Sequence, residues 1–563
     1  MKKFISLALF TLLLTFSYDL FAKSNKQVEL TFDYEQVESS KIVFEGFNLS
    51  KNASYEELEE ALTEDENTNV TVQIQFDYEY LNDPRNRIRR NTDIDAFLSA
   101  YRAEAQQYHL EMNKALVESM KLQGYEDSYL SDYSPFIDLY YNEETFLENS
   151  SSIIGELIES DFVETAYIQN VEKPVDNNFT TAQFATDLYN TMSNDTLTGA
   201  GVTVGILEVG VVDKNHPNFV GTNLTVRDEW YFFEKVTEHA TQVASIIGGV
   251  NGIAPNAKLL SVQADGTLNS EVDWLISNGV NVINMSFGDE VGNGLYSSRA
   301  AYVDYVVRTY FISVVAAAGN DGHTTAYVND PAIGYNVITV GATDQTGYEL
   351  EGYSSYIERT GSHKPTLVAP SSFIVPGYDK VSSGTSFSAP MVTGAVALFM
   401  EKYPDLKSYP EKVISMLTAT AGKMNGFSTK LSSGLNDQVG AGRLDFVKAI
   451  NSYTSTETYY NTTGTSGAYK TIELYMRFNT KLKASLAWII YSSGSTAVTF
   501  TDYDIRLFDP LGRPVASATS VSNNIELIEY TTSTTGRYRL VIYQNGPIVG
   551  GKDWLSLTYT FGF

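Results

Sequence analysis

At 563 residues the chain is too long for a single core, so several domains are expected. Its net charge of −29 argues against nucleic acid as a partner, because phosphates need a basic surface, and suits a solvated, self-repelling exterior. With no cysteine there is no thiol nucleophile, disulfide framework or cysteine–zinc site, and the five histidines include no His-Glu-x-x-His pair of the zinc-protease kind.

In chain order, Met1-Lys2-Lys3 and the apolar run from Phe4 to Phe16 predict a signal peptide over 1–22, cut near Ala22. No later run reaches the ~18 apolar residues of a membrane span, so none is expected after signal removal. Residues 23–178 read as a small α+β domain. Within it, Val70 to Tyr78 alternates like a strand, 93–122 is a long helical stretch, and 152–159 and 162–170 suggest another helix and strand. The basic cluster Asn86-Arg87-Ile88-Arg89-Arg90 reads as an exposed loop that could be nicked.

Residues 179–453 alternate apolar strands, at 202–207, 258–263, 280–286, 311–317 and 337–341, with helical stretches. That alternation predicts an α/β domain, a parallel sheet with helices on both faces. Ligands then bind outside the strand carboxyl ends, where Glu208, Ser286 and Asn320 fall. Gly199-Ala200-Gly201 precedes a strand and so is no dinucleotide loop. Residues 454–563 turn to Ser, Thr, Tyr and Gly in short alternating runs, among them 502–508 and 536–543, which predicts an all-β sandwich.

Chemistry concentrates in four segments. In Gly384-Thr385-Ser386-Phe387-Ser388-Ala389-Pro390, glycine permits a tight turn before a serine, and the proline suits the first turn of a helix. The helix continues Met391 to Met400, apolar on nearly every side, as a core helix should be. Glu238-His239-Ala240-Thr241-Gln242-Val243-Ala244 begins a helix at a histidine, a setting that suits a base uncharged before it acts. His216 precedes Pro217 in a loop, His109 lies in the N-terminal domain, and His323 and His363 lie in polar loops without a partner signature. Phe311 to Ala318 is an apolar strand ending in Gly319-Asn320-Asp321, and Val280 to Met285 is a strand running into Ser286-Phe287-Gly288.

In this order, these segments and Asn251 to Leu259 resemble the subtilisin-like serine proteases over about residues 202–400. The resemblance implies a subtilisin-like fold and peptide-bond hydrolysis. Ser386 would be the nucleophile and His239 the base, with Asn320 an oxyanion donor beside the Ser386 N–H. Ser286, Phe287, Gly288, Ala318 and Gly319 would line the substrate pocket, with its floor near Asn329, and an uncharged pocket there suggests broad specificity. It also implies that the N-terminal domain is a propeptide acting as an intramolecular inhibitor and that the C-terminal domain is an accessory sandwich, while the signal segment predicts a product that is secreted, periplasmic or at the cell surface, of bacterial type. No cofactor is needed for the chemistry. Structural Ca²⁺ is compatible with the family, but no EF-hand-like spacing assigns ligands. The sequence departs from the family at the acid. Aligning on Gly210 puts Glu208 where the triad aspartate belongs and leaves Asp213, in the following loop, as the alternative acid. That departure also leaves open a catalytically weak scaffold that binds protein.

Overall fold

The structure, a computed structural model, describes residues 42–45, 69–76, 93–120, 122, 125, 127–160, 163–170 and 197–562, with short gaps at 228–235, 265–266, 289–293, 380, 463, 492–497 and 499. The predicted signal segment 1–22, the cluster 86–90 and the boundary at 178 lie outside the described residues.

The N-terminal part is α+β. β1 (Ile42–Glu45), β2 (Asn69–Phe76), α1 (Ile94–Ser119), β3 (Asp127–Leu130), β4 (Phe136–Asn142), α2 (Glu143–Glu159) and β5 (Val163–Asn170) form one sheet in the order β1-β5-β2-β4-β3 with two helices. Asp93 starts α1 by accepting the Ala96 N–H at 3.2 Å, an ordinary N-cap. The sequence does not announce the β3–β4 hairpin. Phe136, Ile137, Asp138 and Leu139 are all buried, so the strand has no polar face to alternate with.

The central part runs β6 (Thr203–Glu208), β7 (Asn223–Val226), α3 (Glu238–Gly248), β8 (Lys258–Gln263), α4 (Asn269–Ser277), β9 (Val282–Met285), α5 (Ser298–Tyr310), β10 (Ser313–Ala317), β11 (Ile338–Thr343) and β12 (Leu367–Pro370). The ribbon β13 (Phe373–Ile374) and β14 (Val381–Ser382) follows, then α6 (Thr385–Lys402), α7 (Pro410–Thr420) and α8 (Phe446–Asn451). The seven strands form a parallel sheet in the order β12-β11-β10-β9-β6-β8-β7. From β6 the chain first pairs outward with β8 and then returns to β9 on the other side. This reversal opens a crevice at the carboxyl ends of β6 and β9.

Residues 385–400 of α6 are buried without exception, which is why their sequence has no polar stripe. The helix starts at Thr385, so Pro390 lies inside it rather than in its first turn as the sequence suggested. The missing N–H leaves the carbonyl four residues earlier, that of Ser386, without its helical donor.

The C-terminal part is β15 (Thr456–Asn461), β16 (Gly467–Met476), β17 (Lys481–Trp488), β18 (Asp502–Phe508), β19 (Pro514–Ala518), β20 (Ile525–Thr531), β21 (Gly536–Asn545) and β22 (Asp553–Phe561). They form two four-stranded antiparallel sheets, β15-β22-β17-β20 and β16-β21-β18-β19. The first sheet meets α7: Ser415 Oγ lies 2.9 Å from Thr558 Oγ1, and Thr418 Oγ1 lies 2.7 Å from Ser485 Oγ. Lys483 crosses this interface, 1% exposed, donating to Ala421 O and Ala441 O at 2.8 Å each and lying 3.4 Å from Glu529 Oε1. Burial lowers its pKa to about 8. Lys483→Ala leaves both carbonyls without their donor and is expected to destabilise the chain by about 3 kcal/mol. Thermal unfolding checks this, and an unchanged midpoint contradicts it.

The N-terminal part is joined to α4 and α5 by reciprocal polar contacts. Asp273 of α4 accepts from Tyr129 Oη at 2.5 Å, Ser131 Oγ at 2.9 Å and the Asp132 N–H at 2.8 Å. In return, Asp138 of β4 accepts from Thr267 Oγ1 and Asn269 Nδ2, both at 2.8 Å. Arg102 donates to Val280 O at 2.7 Å, and the Phe136 ring packs edge-on against Tyr302. Among the described residues no helix is long and apolar enough to cross a membrane.

Candidate active site

Glu208 is the last residue of β6, and its side chain is fully buried. Its two carboxylate oxygens have different partners: Oε2 lies 3.0 Å from His239 Nδ1, and Oε1 accepts the Ser286 N–H at 2.9 Å. His239 is the second residue of α3, a helix capped by Thr237, whose hydroxyl accepts the Ala240 N–H at 3.2 Å. Its ring stands edge-on to Phe387, centroids 5.6 Å apart, which places the imidazole beside the turn that carries Ser386.

Ser286 ties the acid to the serine. Its N–H binds Glu208, and its carbonyl accepts the Ser386 hydroxyl at 3.0 Å. Its own hydroxyl accepts from Asn284 Nδ2 at 2.8 Å, and Asn284 Oδ1 accepts from Thr393 Oγ1 of α6 at 2.9 Å. This buried relay locks the end of β9 to the helix that bears Ser386.

Ser386 is the second residue of α6, 6% exposed. The preceding Gly384 has φ 133° and ψ 154°, a conformation that only glycine adopts without strain. It is held by the Ser371 hydroxyl, which donates to Gly384 O at 2.8 Å, and by Tyr353 Oη, which accepts the Gly384 N–H at 3.1 Å. The Ser386 N–H belongs to the first turn of α6, where main-chain donors have no helical acceptor.

Asn320 follows β10 and is exposed. Its Oδ1 accepts both the Thr385 N–H at 2.9 Å and the Thr385 hydroxyl at 3.1 Å. Because a main-chain N–H must meet oxygen, the amide orientation is fixed and Nδ2 is turned away from Thr385. Thr385 Oγ1 also accepts the Gly319 N–H at 3.1 Å, and Gly319 has φ 112°. Ala318 is buried, with its N–H on Val340 O at 3.0 Å. Phe287 packs half-buried against the core, and Gly288 lies against Asn329 and Asp330.

The structure thus brings Glu208, His239, Ser286 and Ser386 together, with Asn320 joined to the same turn through Thr385. The Asp213 carboxylate accepts the Asn215 N–H at 2.9 Å, and the Asp213 N–H donates to Thr241 Oγ1 at 3.0 Å. The other histidines have structural surroundings. His216 caps a short 3₁₀ turn and stacks on Tyr378, His109 lies 2.9 Å from Tyr305 Oη, His363 lies 2.7 Å from Ser433 Oγ, and His323 is exposed. Among the described residues no group of three or more His, Cys, Asp or Glu side chains is placed to hold a metal ion. Thr385 and the Asn284–Thr393 relay were not read as site residues. Their sequence neighbours pointed to the site, but their roles depend on partners 65 and 109 positions away.

A model of the subtilase family matches residues 199–442. Subtilisin DY of Bacillus licheniformis is 32% identical over 243 residues, covering 40% of this chain and 84% of that protein. Subtilisin E of Bacillus subtilis is 32% identical over 228 residues, 37% of this chain, and the chain spans 57% of its length. Among solved structures, the prenylagaramide maturation protease PagA aligns at 26% identity over 47% of this chain and 98% of its own, with a TM-score of 0.40. The aligned region holds the parallel sheet, α3, α6 and the residues assembled around Ser386, and with four-fifths of Subtilisin DY covered at that identity the chain belongs to the subtilase family.

Proposed function

We propose that this subtilase is a secreted serine endopeptidase acting through an acyl-enzyme on Ser386. The observation that carries the reading is the Glu208–His239 bond, set beside a serine in the first turn of a buried helix. The Ser386 hydroxyl leaves Ser286 O and turns to His239 Nε2. His239 takes its proton as Oγ attacks the peptide carbonyl, and Glu208 stabilises the imidazolium. The Ser386 N–H and Asn320 Nδ2 receive the oxyanion. The imidazolium then protonates the leaving amine, and a water activated by the same histidine hydrolyses the ester.

Asn320 acts only once charge develops on that oxygen, so Asn320→Leu is expected to lower kcat about 10²- to 10³-fold with KM little changed. Steady-state kinetics on a peptide anilide checks this, and an equal loss in kcat and gain in KM contradicts it.

The N-terminal α+β part is read as an inhibitory propeptide, which its docking on α4 and α5 supports, and the Lys-Lys and apolar start support export. Substrates are proteins or peptides. The test is digestion of casein by the secreted protein, blocked by a fluorophosphonate. A folded, processed protein that leaves casein intact would count against an endopeptidase.

A further inference from the structure

A cavity of about 380 Å³ lies where α1 of the N-terminal part crosses the amino ends of β6 and β9. Asp95 and Arg102 line it on the α1 side, and Gly201, Thr203 and Asn281 on the other. Thr203 opens β6 and Glu208 closes it, so roughly 16 Å of strand separates this cavity from the candidate active site. A methyl group built on Gly201, or on Gly279, which also lines the cavity, would meet nothing within 4 Å. The volume falls within the range of small-molecule sites.

Charge is unbalanced there. Arg102 is 5% exposed; its Nη2 donates to Val280 O at 2.7 Å, and its Nε is buried with no hydrogen-bond partner. Burial lowers its pKa only to about 10, so the guanidinium is charged at neutral pH. The acid that lines the cavity, Asp95, is committed elsewhere. Both its oxygens accept from the buried Lys407, at 2.8 and 3.0 Å, and Lys407 also donates to Gly201 O at 2.8 Å. Among the described residues no ion pair reaches Arg102. Two buried cations therefore have one carboxylate, which is itself 66% exposed. A buried charge without a counter-ion is costly, and a chain of net charge −29 has carboxylates to spare, yet none is placed here.

Asn281 adds a neutral donor. It is 4% exposed, and its Oδ1 accepts the Thr203 N–H at 2.9 Å, which fixes the amide orientation and leaves its NH₂ for the cavity.

We propose that this cavity binds a small oxyanion, a carboxylate or a phosphate, held by Arg102 from the N-terminal part and Asn281 from the central part. The guanidinium and the amide NH₂ donate to the anion's oxygens, and its negative charge offsets the excess cation. The long-range field of so acidic a chain repels anions, so recognition rests on these short contacts. An anion that touches both parts binds only while the N-terminal part is docked, and it stabilises that docking by mass action. The site is independent of the chemistry at Ser386.

The test is titration calorimetry at about 0.15 M salt on the uncut chain carrying Ser386→Ala, its intact mass verified. The probes are inorganic phosphate, succinate and the neutral succinamide. One equivalent of phosphate or succinate is expected to bind with Kd below about 1 mM, the tighter of the two naming the class. Succinamide should bind at least about tenfold more weakly than the better anion, and Arg102→Gln should weaken anion binding by at least about tenfold. Asn281→Asp keeps an oxygen for the Thr203 N–H, so the fold is retained, and places a carboxylate in the cavity that excludes the anion by a similar factor. Neither anion binding, succinamide binding as tightly as the better anion, or an affinity unmoved by Asn281→Asp overturns the proposal, whether or not Arg102→Gln folds.

Discussion

Glu208→Gln is expected to lower kcat about 10⁴-fold while KM stays within a few-fold, because the change acts on the histidine and not on substrate binding. The geometry gives the reason. One carboxylate oxygen accepts the Ser286 N–H, so a glutamine at 208 must present its carbonyl there. Its amide NH₂ then faces His239 Nδ1, where the carboxylate oxygen had been 3.0 Å away. Nδ1 is forced to accept a hydrogen bond, the ring proton moves to Nε2, and the nitrogen meant to take the proton of Ser386 already carries one. In the proposed mechanism the glutamate thus selects the tautomer as well as stabilising charge. Asp213→Asn, at a carboxylate that binds its own loop at the Asn215 N–H, should leave kcat within about twofold. Kinetics on both variants decides the acid: a crippled Asp213→Asn with an active Glu208→Gln would reverse the assignment.

Ser386→Ala is expected to cost about 10⁶-fold in kcat, the scale on which loss of a triad nucleophile is felt. The fold should survive. Ser386 is 6% exposed, and its hydroxyl donates to Ser286 O, so alanine removes a hydroxyl without leaving a large void. If the N-terminal part is cut away by the enzyme's own site, the same variant should accumulate unprocessed, with the N-terminal part still docked through Asp273 and Asp138. Comparing the N-terminal sequences of native and Ser386→Ala proteins checks this. A variant that matures like the native chain would mean that another protease does the cutting.

How far the sequence could be read depended on how local each signal was. The parallel sheet was legible because buried strands are continuous apolar runs, and α6 because a helix without a polar face has nowhere to go but the core. Ser386 and His239 were legible because each sits at a helix start within a short distinctive segment. The β3–β4 hairpin was hidden because Phe136 packs on Tyr302 and Asp138 binds Thr267, so the strand is buried by a neighbour more than a hundred residues away. Pro390 misled because the helix begins before it, at Thr385, which the residue string alone does not reveal. Glu208 and Asp213 could be ranked by position along the strand, but only the placement of His239 shows which carboxylate it meets. Asn329 could be named as a pocket floor only through the resemblance, and its contacts with Gly288 and Gly319 join three separate segments.

Covalent labelling with a fluorophosphonate, followed by mass spectrometry of the modified peptide, tests the central claim most directly. Reaction needs an activated serine, its base and an oxyanion site together. The account predicts one equivalent of label on Ser386, no label in Ser386→Ala, and labelling slowed by orders of magnitude in Glu208→Gln. A folded, processed native protein that takes no label, or takes it on another residue, would contradict it.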